Sequence, residues 1–483
     1  MPARKSHFDY DVAIFGGGSA GYAAARTAAA EGLRVVVLEG GKEVGGLCIL
    51  RGCMPSKALL HAAEVLHTAR HASQWGLRIP KAGFNFKAVI ARKDSLIGEF
   101  AHYRRKELGA GKFKFLRARA HFADAHTIEL TPVNSAKSIP PRLSAGSFVI
   151  ATGSVIAPPS APSLAAIGYL TSDDALSLKR PPRSLIVLGG GAVAVEFAQF
   201  FRRFDVDVTL IQRSPHLIRD FDIDAAEALA RVLRREGVTV FSETKIIDTF
   251  CKGRRKGVVF AHSTRTRRVV ADEILLAMGR APNTAGLGLE EIGVTLDYGR
   301  IITNAEMQSS LPHIYAAGDC TGPYQIVHIG VEQGEIAAHN IAHPSDRRHI
   351  DYRLLSYIAF TSPQVAMVGL SEKSAWERNV PFLAASYPFS EHGKSLIMEA
   401  RDGFVKLLAD PASGEILGGA CVGPMGGELL HEIVAAMHKR MTVHELAAMP
   451  HYHPTLSEIW TYPAAELASR IPKPKAAASI PAV

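Results

Sequence analysis

Cysteine is scarce in this chain, with five residues among 483. The number is odd, and Cys251, Cys320 and Cys421 each stand alone in the sequence. This pattern does not make the disulfide framework of a small secreted domain, so we expect a reducing, cytoplasmic location. It also lacks the two close cysteine pairs of a structural zinc site, and we predict no metal site.

Long apolar runs are missing as well, so we predict no membrane-spanning helix and no membrane partner. The short apolar run before the first glycines is too short for a signal-peptide core, and no cleavage site follows it. Hydrophobic residues make up 47% and charged residues 21% of the chain, which is typical of a globular protein. The length favours about three or four domains.

Acidic residues number 46 against 55 basic ones, which gives a formal net charge of +9. Part of the excess lies in residues 252–268, KGRRKGVVFAHSTRTRR. A nucleic-acid surface is one interpretation, but a solvated hairpin is favoured because Phe260 is the single aromatic residue among these charges. We therefore predict no nucleic-acid partner, and a basic surface would also attract anionic cofactors.

The segment YDVAIFGGGSAGYAAARTAAAEGLRVVVLEG predicts a strand, a glycine turn, a helix and a second strand. Gly16, Gly18 and Gly21 form the pattern G-x-G-x-x-G, which admits a pyrophosphate and lets the helix pack closely on the strand. The helix N-terminus adds N–H groups and positive dipole for that phosphate. Glu39 ends the second strand 21 residues after Gly18, where an acid meets a ribose hydroxyl.

The same pattern recurs in SLIVLGGGAVAVEFAQFFRRFDVDVTLIQR. Gly189, Gly191 and Ala194 repeat the spacing, and Gln212 ends the second strand 21 residues after Gly191. One glycine turn alone is weak evidence. Two copies with matching strands and helices predict an α/β protein that binds two dinucleotides.

The second copy lacks the acid of the first. Gln212 stands in its place, followed by Arg213 and, six residues later, by Arg219. A carboxylate would repel the 2′-phosphate of NADP, whereas guanidinium groups bind it, so we predict NADP(H) in preference to NAD(H). The alternative is that these arginines are merely solvated.

The stretch GGLCILRGCMPSK holds Cys48 and Cys53. Five residues of regular helix advance about 7.5 Å, which is too far and wrongly directed for a disulfide, so pairing requires a distortion that Gly52 permits. Helical composition from Cys53 onward places this thiol near a helix N-terminus, which favours a thiolate, with Lys57 one turn later. A strained, exchangeable dithiol is favoured over a zinc site or a purely structural disulfide.

With these motifs the chain resembles the FAD-dependent pyridine nucleotide–disulfide oxidoreductases. The resemblance covers roughly residues 8–470, and its motifs fall in family order. Beside the cysteine motif it rests on FVIATGS (148–154), LLAMGRAPNT (275–284), SSLPHIYAAGDC (309–320) and PHYHPTLSEIW (450–460). It implies an α/β fold with two Rossmann-like dinucleotide-binding domains and a C-terminal α+β dimerisation domain.

The resemblance also implies roles for single residues. Cys53 is the thiol next to the flavin, and Cys48 is the interchange thiol that attacks or releases the substrate. Lys57 and Glu196 match an ion pair beside the flavin and the nicotinamide. The implied cofactors are FAD and NADP(H), and the residues implied in binding them are Gly16, Gly18, Ser19, Gly21, Glu39, Gly46, Lys57, Thr152, Gly153, Gly189, Gly191, Ala194, Arg213, Arg219, Gly279 and Asp319.

His453 matches the family's base, and Glu458 matches the carboxylate that orients it. The spacing of His451 to Glu458 does not match. In the family the base enters from the partner subunit, so we expect a homodimer with a shared active site. The expected substrate is a small dithiol or disulfide, or a lipoyl domain.

The chain departs from the family pattern at Leu47, usually threonine, at Leu50, often asparagine, and at Ala192, often aromatic in glutathione reductases. FSEHGKSLIM (389–398), GFVKLLAD (403–410) and HPTLSE favour a dihydrolipoamide dehydrogenase-like enzyme, whereas the second glycine turn favours an NADPH-dependent reductase of a small disulfide. Mercuric reductase is less favoured because no cysteine follows Cys421. A flavin-containing nucleic-acid-binding protein is the last alternative.

The motifs also predict the domain organisation. We expect an FAD-binding domain at 1–155, a nucleotide-binding domain at 156–282, a central domain at 283–350, an interface domain at 351–470 and a disordered tail at 471–483.

Overall fold

The computed structural model describes residues 7–133, 139–159 and 161–473. The predicted tail lies outside these ranges from residue 474 onward. The described residues divide into two compact units. The first comprises those within 7–58, 90–158 and 279–351, and the second comprises those within 59–89, 159–278 and 352–473. The finer boundaries expected from the motifs stay a prediction.

The strands, in chain order, are β1 (Tyr10–Phe15), β2 (Val35–Leu38), β3 (Lys114–Leu116), β4 (Ala118–Phe122), β5 (Thr127–Pro132), β6 (Arg142–Ile150), β7 (Ser154–Ile156), β8 (Ser184–Leu188), β9 (Asp207–Ile211), β10 (Thr239–Phe241), β11 (Thr244–Lys252), β12 (Arg255–His262), β13 (Arg265–Ala271), β14 (Glu273–Leu276), β15 (Arg280–Pro282), β16 (Leu296–Asp297), β17 (Arg300–Ile301), β18 (Ile314–Ala316), β19 (Ser356–Ala359), β20 (Gln364–Gly369), β21 (Leu383–Pro388), β22 (Phe404–Ala409) and β23 (Ile416–Gly423).

The α-helices are α1 (Ser19–Ala30), α2 (Gly46–Arg51), α3 (Cys53–Arg70), α4 (Phe86–Leu108), α5 (Pro162–Ile167), α6 (Ser172–Ala175), α7 (Ala192–Arg203), α8 (Ile223–Arg235), α9 (Val327–Ala342), α10 (Glu372–Glu377), α11 (Gly393–Ile397), α12 (Gly426–His438), α13 (Val443–Ala448) and α14 (Thr461–Arg470). Short 3-10 helices cover Ala72–Trp75, Asp319–Thr321, Tyr352–Leu354, Phe389–Glu391 and Ser457–Trp460. Within the described ranges, no helix is both long and apolar enough to cross a membrane.

The first unit is built on a parallel sheet in the order β3-β2-β1-β6, with β18 also beside β6. Ile14 of β1 lies beside Val37 on one side and Val149 on the other, and all three side chains are buried. Parallel strands that are covered on both faces need such continuous apolar runs. The carboxyl ends of β1, β6 and β18 therefore meet at one edge, where ligands bind in this kind of sheet.

The second unit repeats the parallel arrangement in the order β10-β9-β8-β14. An antiparallel sheet, β11-β12-β13, follows in the chain and contains most of the basic segment 252–268. The hairpin expected for that segment is confirmed. Arg268 covers the ring of Phe250, with 3.9 Å from its guanidinium carbon to the ring centroid.

The C-terminal part of the second unit is an antiparallel sheet in the order β19-β20-β23-β22-β21. Residues of this sheet, of α12 and of α14 form one hydrophobic core around the fully buried Trp460. The indole Nε1–H of Trp460 donates to the Leu429 carbonyl at 3.1 Å, which satisfies the one polar group of that side chain.

A buried cation lies among carboxylates inside the second unit. The Lys406 side chain is 3% exposed, and its Nζ lies 3.1 Å from Asp222 Oδ2 and 2.6 Å from both Asp224 Oδ2 and Glu372 Oε1. Burial alone would lower the pKa of Lys406, but the hydrogen bonds to Asp224 and Glu372 and the charge of Asp222 raise it above its usual value. Lys406 therefore stays charged and joins β22 to the starts of α8 and α10.

Replacing Lys406 by methionine should destabilise the protein. The Lys406→Met variant keeps the length of the side chain but leaves Asp222 buried without its cation, which costs about 3 kcal/mol in the free energy of unfolding. Chemical denaturation of the holoenzyme measures the loss. Lys373→Met is the matched control, because the Lys373 side chain is exposed, its Nζ donates to the Arg219 carbonyl at 3.3 Å, and its backbone N–H, which donates to Asp222 Oδ1 at 3.1 Å, is kept in the variant. Equal stability of both variants would contradict the prediction.

Candidate functional site

The first glycine turn follows β1 and leads into α1. Gly16 has a φ of +103°, and a Cβ there would lie 2.4 Å from the Ala151 carbonyl oxygen, so no side chain fits between β1 and the end of β6. Helix α1 begins at Ser19 after Gly18, and no side chain caps its N-terminus. The first-turn N–H groups are thus left for a ligand, which is the geometry of a phosphate site.

Glu39 lies beside this turn, as its spacing predicted. Its Oε2 accepts from the Gly17 N–H at 2.9 Å, and its Oε1 accepts from the Gly41 N–H at 2.7 Å. These bonds fix the carboxylate at the end of β2, next to the backbone that would meet a pyrophosphate. A carboxylate held there can accept from ribose hydroxyls.

The segments that follow β6 and β18 meet beside Ser154. The Arg280 Nε–H donates to the Ser154 hydroxyl at 2.7 Å, and that hydroxyl donates to Asp319 Oδ2 at 2.6 Å. Thr152 and Gly153 precede this serine, and Gly279 precedes this arginine. The structure thus brings together within the first unit the residues that the family motifs single out from three separate stretches.

The cysteine motif begins against the same turn. Gly46 opens α2, and a Cβ on it would lie 2.7 Å from the Gly18 Cα. The helix then breaks at Gly52, whose backbone has φ −125° and ψ −113°, and α3 starts at Cys53. A Cβ at Gly52 would come within 3.0 Å of the Leu47 carbonyl oxygen. The distortion expected from the sequence is therefore present.

This break places the two thiols in contact. Cys48 and Cys53 are both free thiols and half-buried, and the Cys48 thiol donates a hydrogen bond to Cys53. That bond, followed by burial, raises the pKa of Cys48 far above its usual value. Cys48 therefore keeps its proton, while Cys53 accepts a hydrogen bond at the N-terminus of α3, where negative charge is favoured.

The other cysteines have no such environment. Burial raises the pKa of Cys320 to about 11 and that of Cys421 further still, so both stay protonated. Cys251 is exposed on β11. None of the three is near another cysteine in the sequence.

Arg104 on α4 is a candidate that the sequence analysis missed. Its guanidinium carbon lies 4.2 Å from the ring centroid of Tyr22, which belongs to α1, and its charge acts on Cys48. Nε and Nη1 of Arg104 are buried and have no hydrogen-bond partner within the described ranges. No sequence signal marks this residue, because α4 lies far along the chain from the first glycine turn and from the cysteine motif.

Two unsatisfied polar groups of the first unit fit a bound dinucleotide. One is the Arg104 guanidinium, which can hold an anionic group, and the other is the Thr152 hydroxyl, which is buried and has no partner among the described residues. Buried polar groups normally have partners, so such orphans indicate a missing ligand or water. Together with the uncapped N-terminus of α1, they fit FAD, which those residues would hold.

The second glycine turn has the same backbone geometry. Gly189 has a φ of +122°, and a Cβ there would lie 2.2 Å from the Ala277 carbonyl oxygen. The Gln212 side chain packs over Gly190 as Glu39 packs over Gly17, and its Oε1 accepts from the Arg213 N–H at 3.1 Å. A neutral amide therefore occupies the place that a carboxylate has in the first turn.

Two exposed arginines, Arg213 and Arg219, follow the second turn in the chain. Helix α7 follows Gly191 without a side-chain cap, and Ala194 is fully buried in its first turn. Arg213 and Arg219 are both exposed, and Arg219 lies 3.8 Å from Asp220. His216, which the sequence analysis did not consider, offers its carbonyl to Gln212 Nε2 at 3.4 Å.

Lys57 and Glu196 belong to different units, and their predicted ion pair stays a prediction. Lys57 is half-buried on α3, one turn after Cys53. Glu196 is buried on α7, and its Oε1 accepts from the Phe360 N–H at 2.9 Å.

His453 and Glu458 lie together in the C-terminal part of the second unit. The Nδ1 of His453 lies 2.9 Å from Glu458 Oε2 and 3.2 Å from Oε1, while its Nε2 has no partner in the described part of the chain. The side chain of His453 is 77% exposed and that of Glu458 is 12% exposed. The carboxylate can thus orient the ring and leave Nε2 to exchange a proton.

A second histidine touches the same carboxylate. His392 is fully buried, and its Nε2 lies 3.3 Å from Glu458 Oε1 while its Nδ1 contacts the Ser395 hydroxyl at 2.8 Å. Burial lowers the pKa of His392, so its ring is neutral at pH 7. A neutral ring at this distance adds no charge beside Glu458. His392 lies within the stretch FSEHGKSLIM, whose resemblance to dihydrolipoamide dehydrogenases was noted from the sequence, but nothing in that stretch indicates its contact with Glu458.

His451 has a separate partner. Its Nε2 lies 2.6 Å from Glu432 Oε1, and its Nδ1 lies 2.9 Å from the Met449 carbonyl oxygen. Both ring nitrogens are therefore engaged away from Glu458, which agrees with the mismatch in spacing.

Comparison with known proteins identifies the family. Residues 10–334 match the pyridine nucleotide-disulphide oxidoreductases, and residues 355–464 match the dimerisation domain of the same family. The chain therefore belongs to the pyridine nucleotide-disulphide oxidoreductases. The predicted α/β fold, with its C-terminal dimerisation domain, is confirmed, as is the use of FAD and a pyridine nucleotide.

Individual relatives show which kinds of enzyme within this family are similar to the chain. A dihydrolipoyl dehydrogenase from Chlamydia trachomatis serovar D is 33% identical over 454 residues, which cover 93% of this chain and 95% of the relative. A mercuric reductase from Staphylococcus aureus is 32% identical over 437 residues, which cover 90% of this chain and 78% of the relative. The crystal structure of LpdA from Mycobacterium tuberculosis matches with a TM-score of 0.85 at 28% identity, covering 94% of this chain and 99% of that one. The chain is a flavin-dependent disulfide oxidoreductase similar to dihydrolipoyl dehydrogenases.

The orphaned hydroxyl of Thr152 yields a prediction. In Thr152→Val the side chain keeps its shape, and a partner that FAD provides to the hydroxyl is lost, so FAD should bind about tenfold more weakly. Titration of the apoprotein with FAD, followed by flavin fluorescence, measures the affinity. Thr249→Val is the matched control, because the Thr249 hydroxyl is also buried without a partner among the described residues but lies in the second unit. Unchanged FAD affinity in Thr152→Val would refute this role.

Proposed function

We propose that this chain oxidises a small dithiol of the dihydrolipoamide type to its cyclic disulfide and passes two electrons to a pyridine nucleotide. The observation that carries the proposal is the contact between Cys48 and Cys53 across the break at Gly52. The similarity to dihydrolipoyl dehydrogenases over most of the chain supports the choice of dithiol.

The dithiol chemistry is a pair of exchange steps at Cys48. In the oxidised enzyme Cys48 and Cys53 share a disulfide, and a substrate thiolate attacks Sγ of Cys48. The Cys48–Cys53 bond breaks, and Cys53 leaves as a thiolate. The second substrate thiol then attacks the sulfur that is bound to Cys48, so that the disulfide product leaves and Cys48 becomes a thiol.

The surroundings of the two cysteines support different roles for them in these steps. Cys53 departs as a thiolate at the N-terminus of α3, where the helix dipole stabilises negative charge. Cys48 is the thiol that donates to it, and its raised pKa keeps it protonated once the product has left. At the end of the exchange, Cys48 is therefore a neutral thiol and Cys53 is a thiolate.

His453 is proposed as the proton acceptor for the substrate thiol. Its Nδ1 is held by Glu458, so that Nε2 is available to take up a proton. The ring is exposed in a single chain. We propose that it serves the cysteine pair of a partner subunit in a homodimer, in keeping with the match to the family's dimerisation domain.

Bound FAD supplies two-electron transfer between the cysteine pair and the nicotinamide. Overall, the dithiol loses two electrons and two protons, and the oxidised nucleotide gains a hydride with release of one proton. We propose NADP(H) as the preferred nucleotide, because Gln212 replaces the acid of the first turn and Arg213 and Arg219 are exposed nearby.

The same pocket supports a second candidate function. An enzyme that prefers NADPH would run in the opposite direction and reduce a small disulfide. Cys48 and Cys53 would then start as a dithiol, and His453 would protonate the leaving thiolate. Gln212 and the two arginines are the observation that favours this alternative.

Turnover of dihydrolipoamide tests the proposal. The purified holoenzyme, given dihydrolipoamide and NADP⁺ or NAD⁺, should form reduced nicotinamide, measured by its absorbance. Cys48→Ser should lose roughly a thousandfold or more in rate while it retains FAD, since it lacks the attacked sulfur. Cys251→Ser, at an exposed cysteine outside the pair, should keep its rate. If the enzyme does not turn over dihydrolipoamide with either nucleotide while NADPH still reduces its flavin, the result would instead support the small-disulfide reductase.

Arg213→Ala tests the nucleotide preference. Loss of a guanidinium contact to the 2′-phosphate should raise the KM for NADP⁺ about tenfold and leave the KM for NAD⁺ nearly unchanged. Steady-state kinetics with each nucleotide measures both values. Arg231→Ala, at an exposed arginine on α8 of the same unit, is the matched control. An equal loss for both nucleotides would rule out a specific contact.

A further inference from the structure

A cluster of nitrogen and oxygen ligands lies in the first unit, where α1 and α9 end. Glu31 follows the last residue of α1, His339 lies in the last turn of α9, and His343 follows α9. Their ligand-capable atoms all lie within 4.8 Å of one another, which singles out this group among the described residues. His343 Nε2 contacts Glu31 Oε2 at 2.9 Å.

The buried member of the cluster carries an unused ring nitrogen. His339 is 5% exposed, and its Nε2 lies 2.9 Å from the Asp346 carbonyl oxygen. A carbonyl only accepts, so Nε2 carries the hydrogen and Nδ1 carries the lone pair. That Nδ1 is buried and has no hydrogen-bond partner in the described ranges. Metal-binding histidines are commonly fixed in this way, with the second nitrogen donating to a carbonyl.

We propose that Glu31, His339 and His343 bind a divalent transition metal of the zinc type. Two imidazoles and one carboxylate are the ligand set that zinc accepts, whereas calcium and magnesium prefer oxygen ligands alone. Glu31 and His343 remain partly exposed, so water can complete the coordination.

The ion pair of Glu31 with His343 does not by itself account for the cluster. It uses the carboxylate and one imidazole but leaves Nδ1 of His339 buried and without a partner among the described residues, which is costly. A metal ion would satisfy all three side chains at once. Arg348 adds positive charge near Glu31 and opposes the ion, so we expect moderate affinity.

The proposed metal site lies between two helices, α1 and α9, that pack against each other. Helices α1 and α9 pack so closely that a Cβ on Gly334 would lie 2.3 Å from the Ala20 carbonyl oxygen. Arg26 Nη2 and Glu335 Oε1 join the same helices at 2.6 Å. A metal at Glu31 and His339 would fasten their C-terminal ends, while α1 starts at the first glycine turn.

Zinc titration of the oxidised holoenzyme tests this inference. Isothermal titration with ZnCl₂ should show one site per chain, and zinc should raise the melting temperature, because an ion that binds the folded state stabilises it. Glu31→Gln and His343→Ala should each bind zinc at least tenfold more weakly and lose that rise. His349→Ala is the matched control, since His349 is an exposed histidine of the same unit, 3.4 Å from Glu306.

The variants also distinguish zinc in this cluster from zinc bound elsewhere on the protein. Glu31→Gln keeps the shape of the side chain, and an unchanged flavin spectrum and metal-free melting temperature show that each variant is folded. Zinc bound by cysteines would be the same in the wild type and all three variants. Absence of zinc binding to the wild type, or equal binding by wild type, Glu31→Gln and His343→Ala, would overturn the proposal.

Discussion

The geometry of the first unit depends on the contact between two glycines, Gly18 and Gly46. A side chain on Gly46 would lie 2.7 Å from the Gly18 Cα, so the two backbone segments touch directly. Gly18 precedes the helix whose N-terminus is left for a phosphate, and Gly46 opens the helix that carries Cys48. Because this contact is between backbones, the cysteine pair and the dinucleotide turn hold a fixed distance from each other. The same backbone contact therefore positions both the dinucleotide turn and the helix that carries Cys48.

Much of this arrangement was predictable because its signals are local. The spacing of Gly16, Gly18 and Glu39 fixes a turn, a helix and a strand end within one short segment, and the structure places all three as expected. The break at Gly52 is local as well, since it follows from what a regular helix cannot do. The resemblance to a known family supplied the pairing of His453 with Glu458, which spacing alone would not have singled out among 20 histidines.

The groups that sequence reasoning missed have in common that they act across long separations. Arg104 reaches Tyr22 from another helix, and His392 reaches Glu458 from another turn of the chain. Glu31 and His343 are 312 residues apart. The prediction of no metal site considered cysteine pairs, whereas the cluster of Glu31 with two histidines contains none. No periodicity marks such contacts, and the motif that contains His392 does not indicate its partner, because these contacts arise from tertiary packing between distant segments.

The two glycine turns show how one backbone geometry can serve two ligands. Glu39 and Gln212 lie over equivalent glycines, Gly17 and Gly190, and differ mainly in charge. Glu39 accepts from two backbone N–H groups and presents a carboxylate, which suits free ribose hydroxyls and repels a phosphate. Gln212 instead accepts from the backbone of Arg213, which holds that residue's main chain at the rim of the turn. Removal of one negative charge and addition of a positive one act in the same direction, and this is the electrostatic reason for proposing a ligand with an additional phosphate.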